Sequence, residues 1–218
     1  MTEERFDVGA ALSRLTPGRP LIIVDADEVV LRFVDGLDRF LKARDLFLDL
    51  STYRLHGNVK RIADNEAVLD VEVTALLEEF RSDLDTLDAV DGALEALSEL
   101  RSRADIAVLS NINPHQAPAR RRNLDTVGLG FPLVCNSGTK GAAVKALSSR
   151  AGQPVFFVDD IPQHLASVAE AAPHVLLVHL VGDERLKPIL PDCPQAHLRA
   201  GSWSEAAEFM RRHLESRG

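Results

Sequence analysis

Cysteine is scarce in this chain of 218 residues, and its scarcity excludes several kinds of protein. Cys135 and Cys193 lie far apart, so they provide neither a disulfide framework nor the ligand spacing of a zinc site. A chain with so few thiols is typical of a reducing compartment, and we therefore expect a cytoplasmic protein.

Long apolar runs and an excess of positive charge are also missing. No apolar stretch approaches the roughly 20 residues that a membrane-spanning helix needs, and residues 1–7 lack the pattern of a signal peptide. The formal net charge of -8 argues against nucleic acid as a partner, although it permits a local basic pocket for a small phosphorylated molecule. We expect no membrane and no nucleic-acid partner, and the sequence makes no prediction of oligomeric state.

What the chain does contain is a series of short apolar runs separated by segments with helical spacing. The overall composition, 45% apolar and 27% charged, is that of an ordinary globular protein. Strands that alternate with helices indicate an α/β fold with a doubly wound parallel sheet. The predicted strands are Leu21–Asp25, Ile106–Leu109, Pro132–Cys135, Pro154–Val158 and Val175–Leu180.

Residues 31–88 interrupt this alternation. They are several times longer than the dozen or so residues of a plain crossover, and they contain helical patterns around Phe33–Lys42 and Val71–Phe80. We interpret them as an inserted segment, mostly helical and with a small core of its own. The chain then divides into a core of residues 1–30 and 89–218 and this inserted segment.

Polar side chains follow four of the predicted strands. Asp25 and Asp27 come after the first strand and Ser110 after the second; the third and fourth are followed by Lys140 and by Asp159 and Asp160. The carboxyl ends of parallel strands meet at one edge of a sheet, where such folds place their ligands. Carboxylates suit a divalent cation or a nucleophile, and a hydroxyl and an ammonium suit phosphate oxygens, so the set predicts a phosphoryl-transfer site.

In these motifs the chain resembles the haloacid dehalogenase (HAD) superfamily of hydrolases. Leu21–Glu28 matches its apolar strand followed by Asp-x-Asp, and Ile106–Ser110 matches its strand ending in Ser or Thr. Lys140 matches its lysine at a helix start, and Phe156–Asp160 matches its strand ending in paired acids. The resemblance implies a Rossmann-like HAD core, with the inserted segment as a cap over the site.

The resemblance also implies an activity, the removal of phosphate from a small phosphorylated metabolite by a Mg²⁺-dependent phosphatase. Asp25 would be the nucleophile that forms an aspartyl-phosphate, and Asp27 the general acid and base. Ser110, the backbone N–H of Asn111 and Lys140 would bind the phosphoryl group.

The magnesium ion would be held by Asp25, by the backbone carbonyl of Asp27 and by the paired acids. Of these acids, Asp160 is the favoured direct ligand, and Asp159 would bind directly or through water. The chain departs from the family at His164, where many members have an acid or Asn. We favour a surface helix residue there over a role near the metal.

Other functions are compatible with the same motifs. A phosphotransferase or phosphomutase, another HAD hydrolase such as a phosphonate or halide hydrolase, and a HAD-like binding protein without turnover are the alternatives. The family members that cleave C–Cl or C–P bonds generally lack the second Asp, so Asp27 favours phosphate chemistry. An unrelated doubly wound fold, such as a phospho-receiver, is disfavoured because those domains are shorter.

The remaining polar residues have simpler interpretations. Arg120–Arg122 is interpreted as a charged helix face and Cys135 as a buried apolar residue, and His174 and His179 are assigned to the core or to a strand edge. The polar stretch Tyr53–Lys60 is either a solvent loop, which we favour, or a loop that contacts substrate.

Overall fold

The computed structural model describes residues 8–82 and 84–215. Its helices are α1 (Val8–Arg14), α2 (Phe33–Lys42), α3 (Asp70–Ser82), α4 (Ala93–Leu100), α5 (Ala117–Thr126), α6 (Gly141–Ser148), α7 (Pro162–Ala171) and α8 (Trp203–Glu215), with a 3-10 helix at Pro114–Gln116. Its strands are β1 (Pro20–Val24), β2 (Leu46–Leu48), β3 (Val59–Arg61), β4 (Asp105–Ser110), β5 (Leu133–Cys135), β6 (Gly152–Asp159), β7 (Leu176–Leu180) and β8 (Leu198–Ala200).

Six parallel strands form the main sheet, in the order β5-β4-β1-β6-β7-β8. The first strand, β1, lies in the middle, where Val24 pairs with Val108 of β4 and with Val158 of β6. The carboxyl ends of these three strands are therefore neighbours. The predicted doubly wound parallel sheet is confirmed.

Successive side chains of β1 enter two different apolar clusters. Ile22 and Val24 belong to the cluster that includes residues of α4, α5 and α8, whereas Leu21 and Ile23 belong to the one with α1, α6 and α7. Helices thus cover both faces of the sheet. This is why the strand is apolar at every position instead of alternating with polar residues.

The inserted segment leaves the sheet and returns to it along adjacent backbones. Arg32 N–H donates to the Asp88 carbonyl, and Val90 N–H donates to the Val30 carbonyl. Between these points lie α2, α3 and an antiparallel ribbon of β2 and β3. The ribbon was not predicted, because each of its strands has only three residues. The division into a core and a cap at residues 31 and 88 stays a prediction.

The apolar side chains of the inserted segment continue one of the two clusters of the sheet. Leu37, Val73 and Phe80 belong to the same buried cluster as Ile22 and Val24. The Phe80 ring packs edge-on to Phe33, with the ring centroids 5.2 Å apart. The expected separate small core is therefore wrong, because the packing runs without interruption from the sheet into α2 and α3.

The last part of the chain differs from the prediction at two points. Residues 198–200 form β8, a sixth strand that the five predicted strands did not include. The sequence also predicts a final amphipathic helix over Ser204–Glu215 with Ser204 as its N-cap, but the helix begins at Trp203, so Ser204 lies inside it. Ser202 takes that role, since its hydroxyl accepts the Glu205 N–H while the Glu205 carboxylate accepts the Gly201 N–H.

Among the described residues, no helix combines the length and the apolar character needed to cross a bilayer. The expectation about a signal peptide concerns residues 1–7, which lie outside the described residues.

Candidate active site

The site begins where β1 ends. Asp25 is the first residue after the strand, and its N–H donates to the Val158 carbonyl of β6, at 2.9 Å. The chain then turns sharply, since the Ala26 carbonyl accepts the N–H groups of both Val30 and Leu31. Within this turn Glu28 adopts the left-handed conformation, with φ of 57°. This turn keeps the carboxylates of the motif at the edge of the sheet.

Lys140 joins the ends of β1 and β6. Its ammonium nitrogen lies 2.6 Å from Asp25 Oδ1 and 2.8 Å from Asp159 Oδ2, and all three side chains are buried. The second oxygen of Asp159 accepts the Ile161 N–H at 2.8 Å. Both oxygens of Asp159 are therefore bound by protein donors, which favours the neighbouring Asp160 as the direct metal ligand.

Asp160 has a different set of contacts. Its Oδ2 accepts a hydrogen bond of 2.8 Å from the Tyr53 hydroxyl, which comes from the loop between β2 and β3. Its backbone carbonyl accepts a hydrogen bond from Nε2 of His179, a buried residue of β7, as predicted for a core position. The Tyr53 contact shows that the polar loop reaches the site, so the preferred interpretation as a solvent loop is wrong.

Three carboxylates form the group that fits a divalent cation. One oxygen each from Asp25, Asp159 and Asp160 lies within 4.8 Å of the others. When all three are ionised, the single ammonium of Lys140 leaves two formal negative charges without compensation in a buried place. A hard divalent cation prefers oxygen ligands of this kind and would neutralise that charge.

Burial is the main cause of the pKa shifts in this group. It raises the pKa of Asp25 to about 6, with Lys140 opposing the shift and Asp159 and Asp27 adding to it. Burial also raises the pKa of Asp159, and it raises that of Asp160 well above its ordinary value, helped by the neighbouring carboxylates.

The same neighbours act on Lys140 in the opposite sense. Burial alone would lower the pKa of the Lys140 ammonium, but Asp159 and Asp25 outweigh it, so that pKa is raised. Lys140 therefore stays charged, and metal binding at the carboxylates would release protons from them.

Ser110 is placed at the end of β4, next to β1, as predicted. Its side chain is fully buried, and its hydroxyl has no hydrogen-bond partner among the described residues. A buried hydroxyl without a partner is unfavourable, so this oxygen fits an absent polar ligand. The structure does not bring Ser110 into hydrogen-bonding contact with Asp25, Lys140 or the paired acids.

Asp27 pairs with an arginine and not with Lys140. Its Oδ1 accepts a hydrogen bond of 2.5 Å from Arg120, whose side chain is fully buried, and its own side chain is 28% exposed. Asp27 does not belong to the group of three carboxylates, and the proposed role of its backbone carbonyl stays a prediction.

The contact between Arg120 and Asp27 was not predicted from the sequence. The interpretation of this arginine as part of a charged surface is wrong, because its side chain has no exposed area. Arg120 and Leu124 are four residues apart on α5 and are both buried. That helical spacing to an apolar residue is the signal that could have identified it.

His164 lies near Asn111 at the rim of the site. Its Nε2 is 3.4 Å from Asn111 Nδ2, and its Nδ1 is buried without a partner in the described part of the chain. Burial lowers the pKa of His164 to about 4, with Lys140 adding to the shift, so the ring is neutral at pH 7. The interpretation of His164 as a surface helix residue is wrong.

The side chain of Asn111, which follows β4, is bound by the loop that follows β5. It donates to the Gly138 carbonyl at 2.9 Å, and its oxygen accepts a hydrogen bond of 2.7 Å from Asn136. This side chain holds two loops together at the end of the sheet. Its backbone N–H as a phosphate ligand stays a prediction.

A cavity of about 300 Å³ lies between the sheet edge and the inserted segment. Asp25, Asp27 and Asp160 line one part of it, together with Tyr53 and His164. Much of the remaining lining is apolar and comes mainly from the inserted segment: Phe33, Val34, Leu48, Leu50, Leu55 and Leu186. The cavity is therefore acidic where the strands end and apolar beyond them.

No protein-family model and no curated protein matches this sequence. Solved structures do match it. YfnB from Bacillus subtilis, a HAD-family protein bound to magnesium, superposes with a TM-score of 0.60 at 12% identity, covering 88% of this chain and 98% of YfnB.

Two further structures match in the same way. A HAD family hydrolase from Deinococcus radiodurans R1, with bound phosphate and sodium, gives a TM-score of 0.58 at 18% identity, covering 91% and 98% of the two chains. A dehalogenase with an intermediate complex gives a TM-score of 0.60 at 16% identity, covering 89% of this chain and 98% of the dehalogenase. At such low identity the likeness concerns the fold, and the chain has the fold of the haloacid dehalogenase superfamily.

Proposed function

We propose that this protein is a Mg²⁺-dependent phosphatase that acts on a small phosphorylated metabolite through an aspartyl-phosphate. The observation that supports this best is the convergence of Asp25, Lys140, Asp159 and Asp160 beside a cavity. Asp25, Lys140 and the pair Asp159 and Asp160 come from separate parts of the sequence, and their joint placement suits phosphoryl transfer better than a structural ion pair.

Asp25 is the nucleophile in this proposal. Its Oδ1 is held by Lys140 and by the Ala26 N–H at 2.7 Å, so its Oδ2 is left for the phosphorus. Attack forms the bond from this oxygen to phosphorus and breaks the bond from phosphorus to the ester oxygen. Water then attacks the same phosphorus, and the bond to Asp25 breaks to release inorganic phosphate.

Asp27 moves the protons in both steps. Its Oδ1 accepts from Arg120, which leaves Oδ2 to carry a proton to the departing ester oxygen. In the second step the same carboxylate takes a proton from the attacking water. The partial exposure of Asp27 and its place in the cavity lining suit contact with the leaving group.

The cation would be held by Asp25 and Asp160, with Asp159 binding directly or through water. Magnesium at this position would supply positive charge to the phosphoryl oxygens. Lys140 keeps Asp25 in place and contributes its own charge, and the unpaired hydroxyl of Ser110 donates to a phosphoryl oxygen.

Phosphate release from p-nitrophenyl phosphate and from a panel of phosphorylated metabolites tests the proposal. We expect Asp25→Asn to lower the rate at least about a thousandfold, because no nucleophile remains. Removal of Mg²⁺ with EDTA should abolish the activity and added Mg²⁺ restore it. Asp192→Asn, at a side chain that is 87% exposed, is the matched control and should leave the rate unchanged.

Activity that persists in Asp25→Asn or in EDTA would refute the proposal. Transfer of the phosphate to a second molecule or to another position of the substrate, instead of its release, would identify a phosphotransferase or phosphomutase. Trapping of beryllium fluoride on Asp25 would support a competent nucleophile, whereas failure to bind millimolar Mg²⁺ would favour a binding protein without turnover.

A further inference from the structure

Two arginines of the cavity have no acidic partner. Arg54 lies in the loop between β2 and β3 and Arg81 in the last turn of α3, and both line the cavity. Neither guanidinium forms an ion pair or a hydrogen bond among the described residues. Arg81 instead lies over the ring of Phe33, with its guanidinium carbon 5.8 Å from the ring centroid.

The other cationic side chains of the inserted segment are all neutralised. Each of them pairs with a carboxylate at 3.3 Å or less: Arg32, Arg39, Lys42, Arg44, Lys60 and Arg61. The segment thus has acids within reach of its cations everywhere except at the cavity. Within the described residues, its two unpaired cations are the two that line this space.

The rest of the lining supplies neither arginine with a partner; Arg54 is exposed and Arg81 is half-buried. Leu48, Leu50 and Leu55 face the same space, and apolar walls reduce the solvation of any charge beside them. The carboxylates of the cavity belong to the ends of the strands, and Asp27 and Asp160 are already bound by Arg120 and Tyr53. An anionic ligand group would give the two arginines the partner that the protein does not provide.

We infer that the substrate is a phosphate monoester with an apolar carbon body and a second anionic group, which Arg54 and Arg81 bind. This inference rests on the proposed phosphatase function, because it assigns the phosphoryl group to Asp25 and Lys140. The apolar lining then contacts the carbon body, and the two guanidinium groups bind a carboxylate or a second phosphate.

Two esters that differ by one charge test the inference. Phenyl phosphate and 4-carboxyphenyl phosphate share the reacting group and the ring, and only the second has a carboxylate. We expect the wild-type protein to have the higher kcat/KM for the carboxylated ester. The analogue with a phosphonate in place of the carboxylate shows which second anion is preferred.

The variants Arg54→Gln and Arg81→Gln should reduce that preference. We expect each to lower kcat/KM for the carboxylated ester roughly tenfold more than for phenyl phosphate, mainly through KM, because a charged hydrogen bond is lost. Arg61→Gln is the matched control, since Arg61 belongs to the same segment but pairs with Asp64 and Glu66. It should leave the ratio of the two rates unchanged.

The outcomes separate this inference from the proposed function. Hydrolysis of both esters with equal kcat/KM, or equal losses in the arginine variants, would overturn the inference and leave the phosphatase intact. If neither ester is hydrolysed, the inference is tested by measuring the binding of phenylphosphonate and of 4-carboxyphenylphosphonate by calorimetry. Tighter binding of the carboxylated compound, lost in Arg54→Gln and Arg81→Gln, would support the inference without turnover, and equal binding would overturn it.

Discussion

At the scale of single residues, the ion pair between Arg120 and Asp27 is a feature of the site that the motifs at the strand ends do not include. Arg120 has no exposed area, and its Nε and Nη1 have no partners among the described residues. A buried guanidinium with free N–H groups is unfavourable by itself. Its one described ion-pair partner is the proposed general acid, so we assign Arg120 a positioning role.

Replacing Arg120 with Met tests that role. We expect kcat for alkyl phosphates to fall by roughly ten- to a hundredfold, because the acid is no longer held in place. Turnover of p-nitrophenyl phosphate should fall much less, since nitrophenolate leaves without needing a proton. Steady-state kinetics on both substrates measures the difference, and an equal loss on both would contradict the assignment. Arg122→Gln, at a mostly exposed neighbour on α5, is the control.

Because the pKa of Glu28 is raised, we expect the stability of the metal-free protein to depend on pH. Burial raises its pKa from an ordinary 4.5 to about 7, with the Val34 N–H opposing the shift. Between these values the folded protein holds a proton that the unfolded chain has lost. The contribution of Glu28 to stability is therefore fully present below pH 4.5 and is lost as the pH rises through 7.

Glu28→Gln removes this titration while its amide oxygen can still accept the Val34 N–H. From pH 5 to pH 8 the free energy of unfolding of the wild type should fall by about 2 kcal/mol more than that of the variant. Urea unfolding in EDTA at the two pH values measures it. Parallel curves for the two proteins would show that Glu28 does not titrate in this range.

At the scale of elements, the position of Lys140 depends on how closely α6 packs on α7. Gly141 is the first residue of α6, and its N–H donates to the Ser167 hydroxyl of α7 at 3.1 Å. A Cβ on Gly141 would lie 2.3 Å from the Ser167 backbone oxygen. Because that neighbour is backbone, the two helices would have to move apart.

We expect Gly141→Ala to lower the free energy of unfolding by about 1–3 kcal/mol. The activity should also fall, because Lys140 precedes the displaced helix. Gly9→Ala in α1 is the matched control, since no atom lies within 4 Å of a Cβ there. Alanine at that helical position should be neutral or stabilise by up to about 1 kcal/mol. Thermal unfolding of both variants tests the contrast.

At the scale of the whole molecule, a net charge of -8 and a buried group of three carboxylates predict stabilisation by magnesium. A ligand that binds only the folded state at a hundred times its Kd stabilises by about 2.7 kcal/mol. For a chain of this size the increase in Tm is then roughly 5–10 °C. Differential scanning fluorimetry in EDTA and in saturating Mg²⁺ measures it.

Asp160→Asn should reduce this shift, because one of the three carboxylates is lost. An NaCl solution of equal ionic strength controls for screening of the surface charge. A shift that NaCl reproduces, or one that Asp160→Asn leaves intact, would argue against a cation at this site.

The succession of strands and helices along the chain, and the acids that follow the strands, were predictable from the amino-acid sequence alone. These features are local: a buried parallel strand is a continuous apolar run, and the residue after it must lie at the sheet edge. For this reason the placement of Asp25, Ser110, Asp159 and Asp160 at the ends of strands could be predicted. The short strands β2, β3 and β8 were missed because three residues give too little pattern.

The contacts between polar groups that are distant in sequence became visible in the three-dimensional structure. Arg120 binds Asp27 across 93 positions of the chain, and Tyr53 reaches Asp160 across 107. The sequence does not distinguish a buried arginine from an exposed one. A loop that contacts a carboxylate likewise has the same composition as a loop in solvent. Their partners depend on how the helices and the inserted segment pack against the sheet, and that packing is set by apolar contacts far from either residue.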